Sequence, residues 1–211
     1  MVVASSPELL VLHALRLRGM ADDGAVARRF GIAPAVAGEL LLDAQARGWV
    51  RRVGFVELSG WALSDAGRAE LGGLLAAELA ATGERAVVEA THADFGALNT
   101  RPLTAATRWQ IRPLPGDPLA VNDHTDARWD DRVLDELGSL LRAVVPLTER
   151  LTAVLPRCDG YPERLALALT RAERGERSWV DRPGSDSFHG VWFELHEDLL
   201  ATLGIERGAE D

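Results

Sequence analysis

Apolar residues recur at helical spacing in three short stretches at the start of the chain. Each stretch begins at a capping residue or a proline and ends at a glycine, which are the usual start and stop signals of helices. We therefore predict helices over 7–19, 24–30 and 34–48, the first of them capped by Ser6. Only residues 31–33 join the second and third predicted helices, and the first of these is a glycine.

Beyond residue 48 the helical spacing gives way to the apolar and polar alternation that is typical of strands. Two short strands are predicted over 49–57 and 60–63, joined by a tight turn. A new helix then begins with Ser64 or Asp65 as its cap. Three helices, a hairpin and a further helix in this order predict a winged helix-turn-helix domain.

After residue 64 the pattern is helical almost throughout, interrupted by a loop rich in proline and glycine over 112–118. The further helices are predicted over 65–100 (as one or two), 102–111, from a cap at 122–126 onward, 162–175 and 187–203. The predicted fold class is therefore mainly α. A winged helix-turn-helix domain with a linker helix covers 1–82, and an all-α effector and dimerisation domain covers 83–211.

The composition indicates a globular protein, for which we expect a cytoplasmic location. Of its residues, 47% are hydrophobic and 26% are charged. No apolar run reaches the roughly 18 residues of a membrane helix, and the start of the chain lacks the basic segment of a secretion signal. The single cysteine, Cys158, cannot form an internal disulfide. The absence of lysine excludes Schiff-base chemistry and a phosphate-loop lysine.

The negative charge is concentrated in the second part of the chain. The whole chain has a formal net charge of −9, of which −8 falls on residues 83–211 and only −1 on residues 1–82. An acidic protein is a poor non-specific binder of nucleic acid. Any contact with DNA is therefore expected from the nearly neutral first part.

Two runs at the predicted hairpin resemble the bacterial winged-helix repressors of the MarR type. The run Gly-Trp-Val-Arg-Arg over 48–52 is similar to the G-x-V-x-R that follows the recognition helix in this family. The run over 63–68 is similar to the L-[ST]-x-x-G-R that closes the wing. The resemblance covers about 6–82. It implies a dimeric, often ligand-responsive transcription regulator whose third helix lies in the major groove of DNA.

The predicted third helix departs from that family at its start. It opens Ala-Pro-Ala-Val-Ala-Gly-Glu over 33–39, where no side chain can donate a bidentate hydrogen bond to a base edge. The predicted wing also has no arginine between residues 52 and 61, whereas MarR-type wings usually carry basic residues at the tip. The resemblance therefore implies the fold more strongly than it implies base recognition.

Contact with double-stranded DNA would come from arginines that neutralise phosphates. The candidate residues are five arginines and the proline that opens the third helix: Arg28, Arg29, Pro34, Arg47, Arg51 and Arg52. The alternative is that these are ordinary solvated arginines of a lysine-free surface. A positive surface across the third helix and the wing would favour DNA binding, and a neutral or negative surface would favour the alternative.

Histidine and tryptophan are grouped in the second part of the chain, where they predict a small-molecule pocket. On the last helix, His189, Trp192 and His196 share one apolar face, so their imidazoles need polar partners. Residues at the start of an earlier helix are the expected partners, and aromatic walls complete the site. The candidate ligand-binding residues are Trp109, Asp123, His124, Asp126, Trp129, His189, Trp192 and His196. The alternative is a helical core with two satisfied histidines.

Metal binding and catalysis have weaker support. His189 and His196 are seven residues apart, which separates their Cα atoms by roughly 10.5 Å along a helix. A zinc pair on one helix normally has a spacing of four, so no metal or cofactor is expected. An enzyme would use His124 or His196 as a general base with Asp126 or Glu194. No nucleophile motif, phosphate loop or dinucleotide fingerprint supports this reaction chemistry.

The pattern as a whole therefore favours a homodimeric, ligand-responsive DNA-binding regulator that is not an enzyme. Leucine stripes over 71–79 and 134–144 are candidates for the core, with part of one at a two-fold interface. The expected partners are double-stranded DNA and a small-molecule effector, with no membrane. The alternative is an enzyme or accessory protein built on a degenerate winged helix that does not bind DNA and uses the His/Asp/Trp pocket for chemistry.

Overall fold

The computed structural model describes residues 4–55, 58–184 and 186–206. Within these ranges the chain is mainly helical and has one small antiparallel sheet of two strands. The helices and strands are α1 (Pro7–Arg18), α2 (Asp23–Arg29), α3 (Pro34–Ala46), β1 (Val50–Phe55), β2 (Leu58–Leu63), α4 (Asp65–Thr82), α5 (Arg85–Gly96), α6 (Thr100–Gln110), α7 (Ala127–Val154), α8 (Tyr161–Glu173) and α9 (Phe188–Leu203). Short 3-10 turns lie at Pro156–Cys158 and Arg177–Trp179.

Polar side chains cap the first helices at the predicted positions. Ser6 Oγ accepts a hydrogen bond from the Leu9 amide at 3.2 Å, and Asp22 Oδ1 accepts one from the Ala25 amide at 2.7 Å. The third helix has no side-chain cap and begins directly at Pro34, whose fixed φ suits the first helical turn. The mainly helical fold class and the positions of these three helices are therefore confirmed.

The hairpin pairs β1 with β2 from Val50 opposite Leu63 to Phe55 opposite Leu58. Residues 56–57, between the two strands, lie outside the described residues, and the second strand begins at Leu58, two residues before the predicted start at 60. The Trp61 amide and carbonyl both bond to the backbone of Ala21, which extends the pairing to the loop before α2. A side chain at Gly60 would lie 2.8 Å from the Ala21 carbonyl, so this close pairing requires glycine.

One hydrophobic core joins α1 to α4 with the hairpin. Its buried members include Leu12 and Leu15 from α1, Leu41 from α3, and Leu71 and Leu75 from α4. Part of the leucine stripe over 71–79 is therefore core within the chain. Burial of these side chains also fixes the hairpin, because Val50, Trp61 and Leu63 belong to the same cluster.

The contacts within the chain divide it into two compact units, and the division differs from the predicted boundary at residue 82. The first unit contains the chain up to Val88, the segment Thr152–Arg157 and the chain from Glu197 on. The second unit contains Glu89–Leu151 and Cys158–His196. Two short C-terminal segments thus belong to the N-terminal unit. The buried polar contacts described below give the physical reason.

The second unit contains α6, α8, most of α5 and α7, and the first half of α9. A loop between α6 and α7 is tied by single bridges, of which one joins Ile111 to Val121. Leu137, Leu140 and Val144 of α7 are buried, so this predicted stripe also belongs largely to a core. In the described part of the chain, no helix has the length and apolar character needed to cross a membrane.

Candidate functional site

The outer face of α3 combines apolar and acidic side chains. Val36 is 42% exposed and Leu42 is 58% exposed, while Glu39 and Asp43 are exposed one helical turn apart. The helix contains no basic residue. The surface of α3 is therefore neutral to negative and not positive. Such a surface is unfavourable for contact with phosphates.

Three of the predicted DNA-contacting arginines lie beside α3. Arg28 is exposed at the end of α2, and the Arg29 guanidinium lies 4.4 Å from the ring centroid of Phe30. Arg47 follows α3, where its Nη1 donates to Glu8 Oε1 at 2.5 Å. Arg28 is thus the basic group of this set that is most available to a phosphate.

The hairpin supplies the other two arginines. Arg51 is exposed on β1 and has no ion pair within the described ranges. Arg52 is also exposed, with its guanidinium 4.0 Å from the ring centroid of Trp61 and 3.9 Å from Asp23. A loose pair at this distance and exposure is weak, so Arg52 can exchange Asp23 for another anion. Pro34 is exposed at the first turn of α3.

A group of charged residues lies fully buried in the first unit, and the sequence did not predict it. Arg157 Nε donates to Glu78 Oε2 at 2.8 Å, and its Nη1 donates to Asp198 Oδ1. Its Nη2 donates to Thr202 Oγ1 at 2.7 Å. Together with His13, whose Nε2 lies 2.9 Å from Asp198 Oδ1, these residues form the buried ion cluster. The cluster explains why 152–157 and the end of α9 join the N-terminal unit.

Burial and charge set the protonation states of this cluster. Burial opposes ionisation of Asp198, yet the Arg157 guanidinium and His13 hold the pKa of that carboxyl well below its usual range. Burial also lowers the pKa of His13, with Arg157 adding to the effect and Asp198 opposing it. His13 directs Nε2 at both charged groups, 2.9 Å from Asp198 Oδ1 and 3.0 Å from Arg157 Nη1. Its Nδ1 has no hydrogen-bond partner in the described part of the chain.

His124 forms a dyad with Asp130 in the second unit. Its Nδ1 lies 2.9 Å from Asp130 Oδ2, and the Asn122 amide holds the other oxygen of that carboxylate at 2.9 Å. The Trp109 ring packs on the imidazole at a centroid distance of 4.6 Å. His124 and Ser178 both line a cavity of about 300 Å³.

The structure gives His124 a different carboxylate from Asp126, the one considered with it for a general base. The carboxylate paired with His124 is Asp130 rather than Asp126, and Asp126 instead binds Arg112 at 3.1 Å. Hydrogen bonds from the Thr125 amide and hydroxyl lower the pKa of exposed Asp123. The reason is local. Asp123 accepts hydrogen bonds from Thr125 in the loop, and Asp126 accepts one from the Trp129 amide at the start of α7, whereas Asp130 lies one helical turn further on.

Trp129 lies at a second cavity, of about 330 Å³, between α6 and α7. Its indole nitrogen donates to the carbonyl of Arg108 at 2.7 Å. The residues that line this α6–α7 cleft are Arg101, Thr104, Ala105, Arg108, Trp129, Arg132, Val133 and Glu136. Only Trp129 among them was a sequence candidate. The arginines carried no visible signal because a helix surface commonly presents arginine to solvent.

The predicted residues of α9 lie in a third group. His196 stacks with His92 and packs on Phe95 at a centroid distance of 5.6 Å, and Trp192 lies 4.9 Å from the same phenyl ring. Asn99 accepts a hydrogen bond from the Trp192 indole at 3.1 Å. His196 is thus placed against α5, a helix from which the sequence predicted no site residue.

The eight predicted ligand-binding residues therefore do not line one common pocket. Trp109 and His124 line one cavity, Trp129 lines another, and Trp192 and His196 pack against α5. His189 is half-buried, and its Nδ1 has no hydrogen-bond partner within the described ranges. Glu194, the other carboxylate considered for catalysis, is bound by both terminal nitrogens of Arg164 at 2.8 and 2.7 Å. Trp192 and His196 do share a face of α9, but that face packs against His92 and Phe95 of α5 and not against 123–126.

No set of three histidine, cysteine, aspartate or glutamate residues is arranged to hold a metal ion in the part of the chain that the structure describes. Comparisons of the chain with protein-family models, with curated proteins and with solved structures give no match.

Proposed function

We propose that this protein is a cytoplasmic DNA-binding transcription regulator whose N-terminal unit is a winged helix-turn-helix domain. The observation that carries the proposal is the arrangement of α1 to α4 with the hairpin. In this arrangement α3 keeps an uncovered outer face next to a strand bearing two exposed arginines. A helix and a wing placed in this way are the elements with which such domains approach a duplex.

Contact with the duplex is made through phosphates, and the positive charge for it comes from arginines beside α3, because the neutral to negative surface of α3 itself disfavours this contact. Arg28, Arg51 and Arg52 are exposed cations of this surface, and each can neutralise one phosphate. Because the start of α3, over 34–39, offers no bidentate donor to a base edge, we expect sequence preference to come mainly from the shape and deformability of the duplex. We therefore expect modest affinity that depends strongly on salt.

The second unit is the sensor in this proposal, and the protein acts as a homodimer. A small molecule bound in one of its cavities changes the affinity for DNA by favouring one of two states of the protein. Two cavities of this unit, at His124 and between α6 and α7, have volumes of about 300 and 330 Å³, which lie at the lower end of ordinary ligand sites.

The carboxylates on α3 provide a direct test of where the duplex lies. If α3 faces the duplex, replacing Glu39→Gln together with Asp43→Asn removes two charges that repel phosphates. Affinity for a random-sequence duplex should then rise by about tenfold at low salt. Glu149→Gln on α7, also an exposed carboxylate, is the matched control and should change nothing. Unchanged affinity in the double variant would mean that α3 does not face DNA.

A second candidate is an accessory protein whose α3 binds another protein. The exposed Val36 and Leu42 beside Glu39 and Asp43 favour this candidate, because an apolar centre with an acidic rim suits a partner that carries apolar and basic side chains. A photo-crosslinker attached at Leu42→Cys distinguishes the two candidates, since Cys158 is buried and does not compete for the label. The adduct formed in cells of the source organism contains DNA for the first candidate and protein for the second.

A further inference from the structure

The α6–α7 cleft has an unusual balance of charge for the acidic part of the chain. Three guanidinium groups and one carboxylate line it, whereas residues 83–211 as a whole have a net charge of −8. The carboxylate of Glu136 is already bound by Arg101 Nε at 2.8 Å, and Arg101 Nη2 also donates to Ser139 Oγ at 3.1 Å. Arg101 and Glu136 therefore neutralise each other.

The two remaining guanidinium groups form no ion pair with any residue that the structure describes. Arg108 is exposed near the end of α6, and neither it nor Arg132 of α7 has an ion pair within the described ranges. Both line the same cavity, so their charges add there without a carboxylate to compensate them. Free guanidinium groups that converge on a cleft are suited to bind a carboxylate or a phosphate through charge-assisted hydrogen bonds.

An apolar surface lies beside these charges. The Trp129 indole is fixed by its hydrogen bond to the Arg108 carbonyl, and the Arg132 guanidinium lies 5.4 Å from its ring centroid. Ala105 and Val133 are buried at the same cavity. A fixed aromatic ring with small apolar neighbours favours a flat apolar group over a chain of hydroxyls.

We propose that the α6–α7 cleft binds a small organic anion that carries a flat apolar group. Its carboxylate or phosphate is held by Arg108 and Arg132, and its apolar part lies against Trp129. Arg101 and Glu136 also line the cleft, and they are already paired with each other without a ligand. This inference names the effector class of the proposed sensor unit, although binding in the cleft requires neither DNA nor a dimer.

Isothermal titration calorimetry on the intact chain tests the proposal with four probes. Benzoate and phenyl phosphate combine the required charge with a flat ring, benzamide keeps the ring without the charge, and inorganic phosphate keeps the charge without the ring. We expect the two aromatic anions to bind and both partial probes to bind at least about tenfold more weakly. The relative affinity of benzoate and phenyl phosphate identifies the anionic group that the cleft prefers.

Two variants assign any binding to this cleft. Arg108→Gln together with Arg132→Gln should lower the affinity for the tighter-binding aromatic anion by at least about tenfold, while the temperature of thermal unfolding stays unchanged. Arg142→Gln, an exposed arginine of the same helix that does not line the cleft, is the matched control and should bind like the original chain. Trp129→Leu should weaken the binding of the aromatic anions more than it weakens the binding of inorganic phosphate.

Two results would overturn the proposal. One is the absence of binding by either aromatic anion at millimolar concentration. The other is equal affinity in the original chain and in the double arginine variant, which would place the anion elsewhere. Neither result bears on DNA binding, because these titrations contain no DNA. Conversely, a failure of the protein to bind DNA would not contradict anion binding in the cleft.

Discussion

At the scale of single residues, Arg157 is the cation on which the buried ion cluster depends. Its side chain is 1% exposed and contacts two carboxylates, a histidine and a threonine hydroxyl. Removing water from so many charges is costly, and the hydrogen bonds offset that cost only while the set is complete. Loss of one member therefore leaves the others buried without compensation.

Replacing Arg157→Met should lower the free energy of unfolding by about 3–5 kcal/mol, because Glu78 and Asp198 would remain buried without a cation. Arg150→Met is the matched control. It breaks the half-exposed pair of Arg150 with Asp94 and should cost at most about 1 kcal/mol. Urea denaturation of both variants measures the difference, and equal losses would show that the buried ion cluster is not integral to the unit.

His13 should make stability depend on pH. Its pKa is lowered in the folded protein, so between about pH 6.5 and that lower value the unfolded chain binds a proton that the folded chain does not. Stability is therefore lost as pH falls below about 6.5, by up to about 1.4 kcal/mol per pH unit. Asp198 does not contribute above pH 5, because its carboxyl is ionised in both states there.

The comparison of the original chain with His13→Gln isolates this effect. Urea denaturation between pH 7.5 and 5 should show a smaller fall in stability for the variant, since other groups titrate alike in both proteins. Parallel curves would mean that the pKa of His13 is the same in the folded and unfolded chain, which would contradict the lowered pKa.

At the scale of elements, Gly67 fixes how α4 leaves the hairpin. A Cβ at this position would lie 1.9 Å from the Trp49 carbonyl oxygen, and Ser64 Oγ donates to the Gly48 carbonyl at 2.6 Å while it caps the same helix. The first turn of α4 is thus held against the backbone that follows α3. This close approach gives a physical reason for the glycine in the run over 63–68.

Gly67→Ala should destabilise the first unit by about 1–3 kcal/mol, because backbone must move to make room for the methyl group. Gly72→Ala lies on the same helix, where a Cβ would meet nothing within 4 Å, and should stabilise by about 0.5–1 kcal/mol. Thermal unfolding of the two variants gives the comparison. Unfolding temperatures that shift in the same direction in both variants would contradict the packing described for Gly67.

The helices were predictable from the sequence because their determinants are local. Ser6, Asp22 and Ser64 cap helices within three residues of themselves, and the predicted ends agree with the structure to within a few residues. The candidate site was predictable only in part, because it depends on which helices meet. His196 packs against α5 and His124 against Asp130, and neither contact has a signal in residue spacing.

At the scale of the whole molecule, the first unit is not a continuous piece of chain. His13 is 185 residues from Asp198 and 144 residues from Arg157, yet all three share the buried ion cluster. No periodic pattern reveals such pairs, which is why the boundary predicted at 82 missed the two returning segments. α9 contributes residues to both units.

Residues 1–88 alone should therefore fold poorly. In that fragment Glu78 and His13 would be buried without Arg157 and Asp198, and we expect loss of cooperative unfolding by circular dichroism. The same fragment with Glu78→Leu and His13→Leu removes the groups that need partners and should recover part of its stability. A fragment as stable as the first unit of the full chain would show that the returning segments contribute little.

The salt dependence of duplex binding is the most direct test of the proposed function. Fluorescence anisotropy with a random-sequence duplex between about 50 and 200 mM salt should show an association constant that falls steeply with salt. Arg51→Ala together with Arg52→Ala should weaken binding and reduce the slope of log affinity against log salt by about two. Absence of binding at low salt, or the same slope in the double variant, would contradict DNA binding through the hairpin.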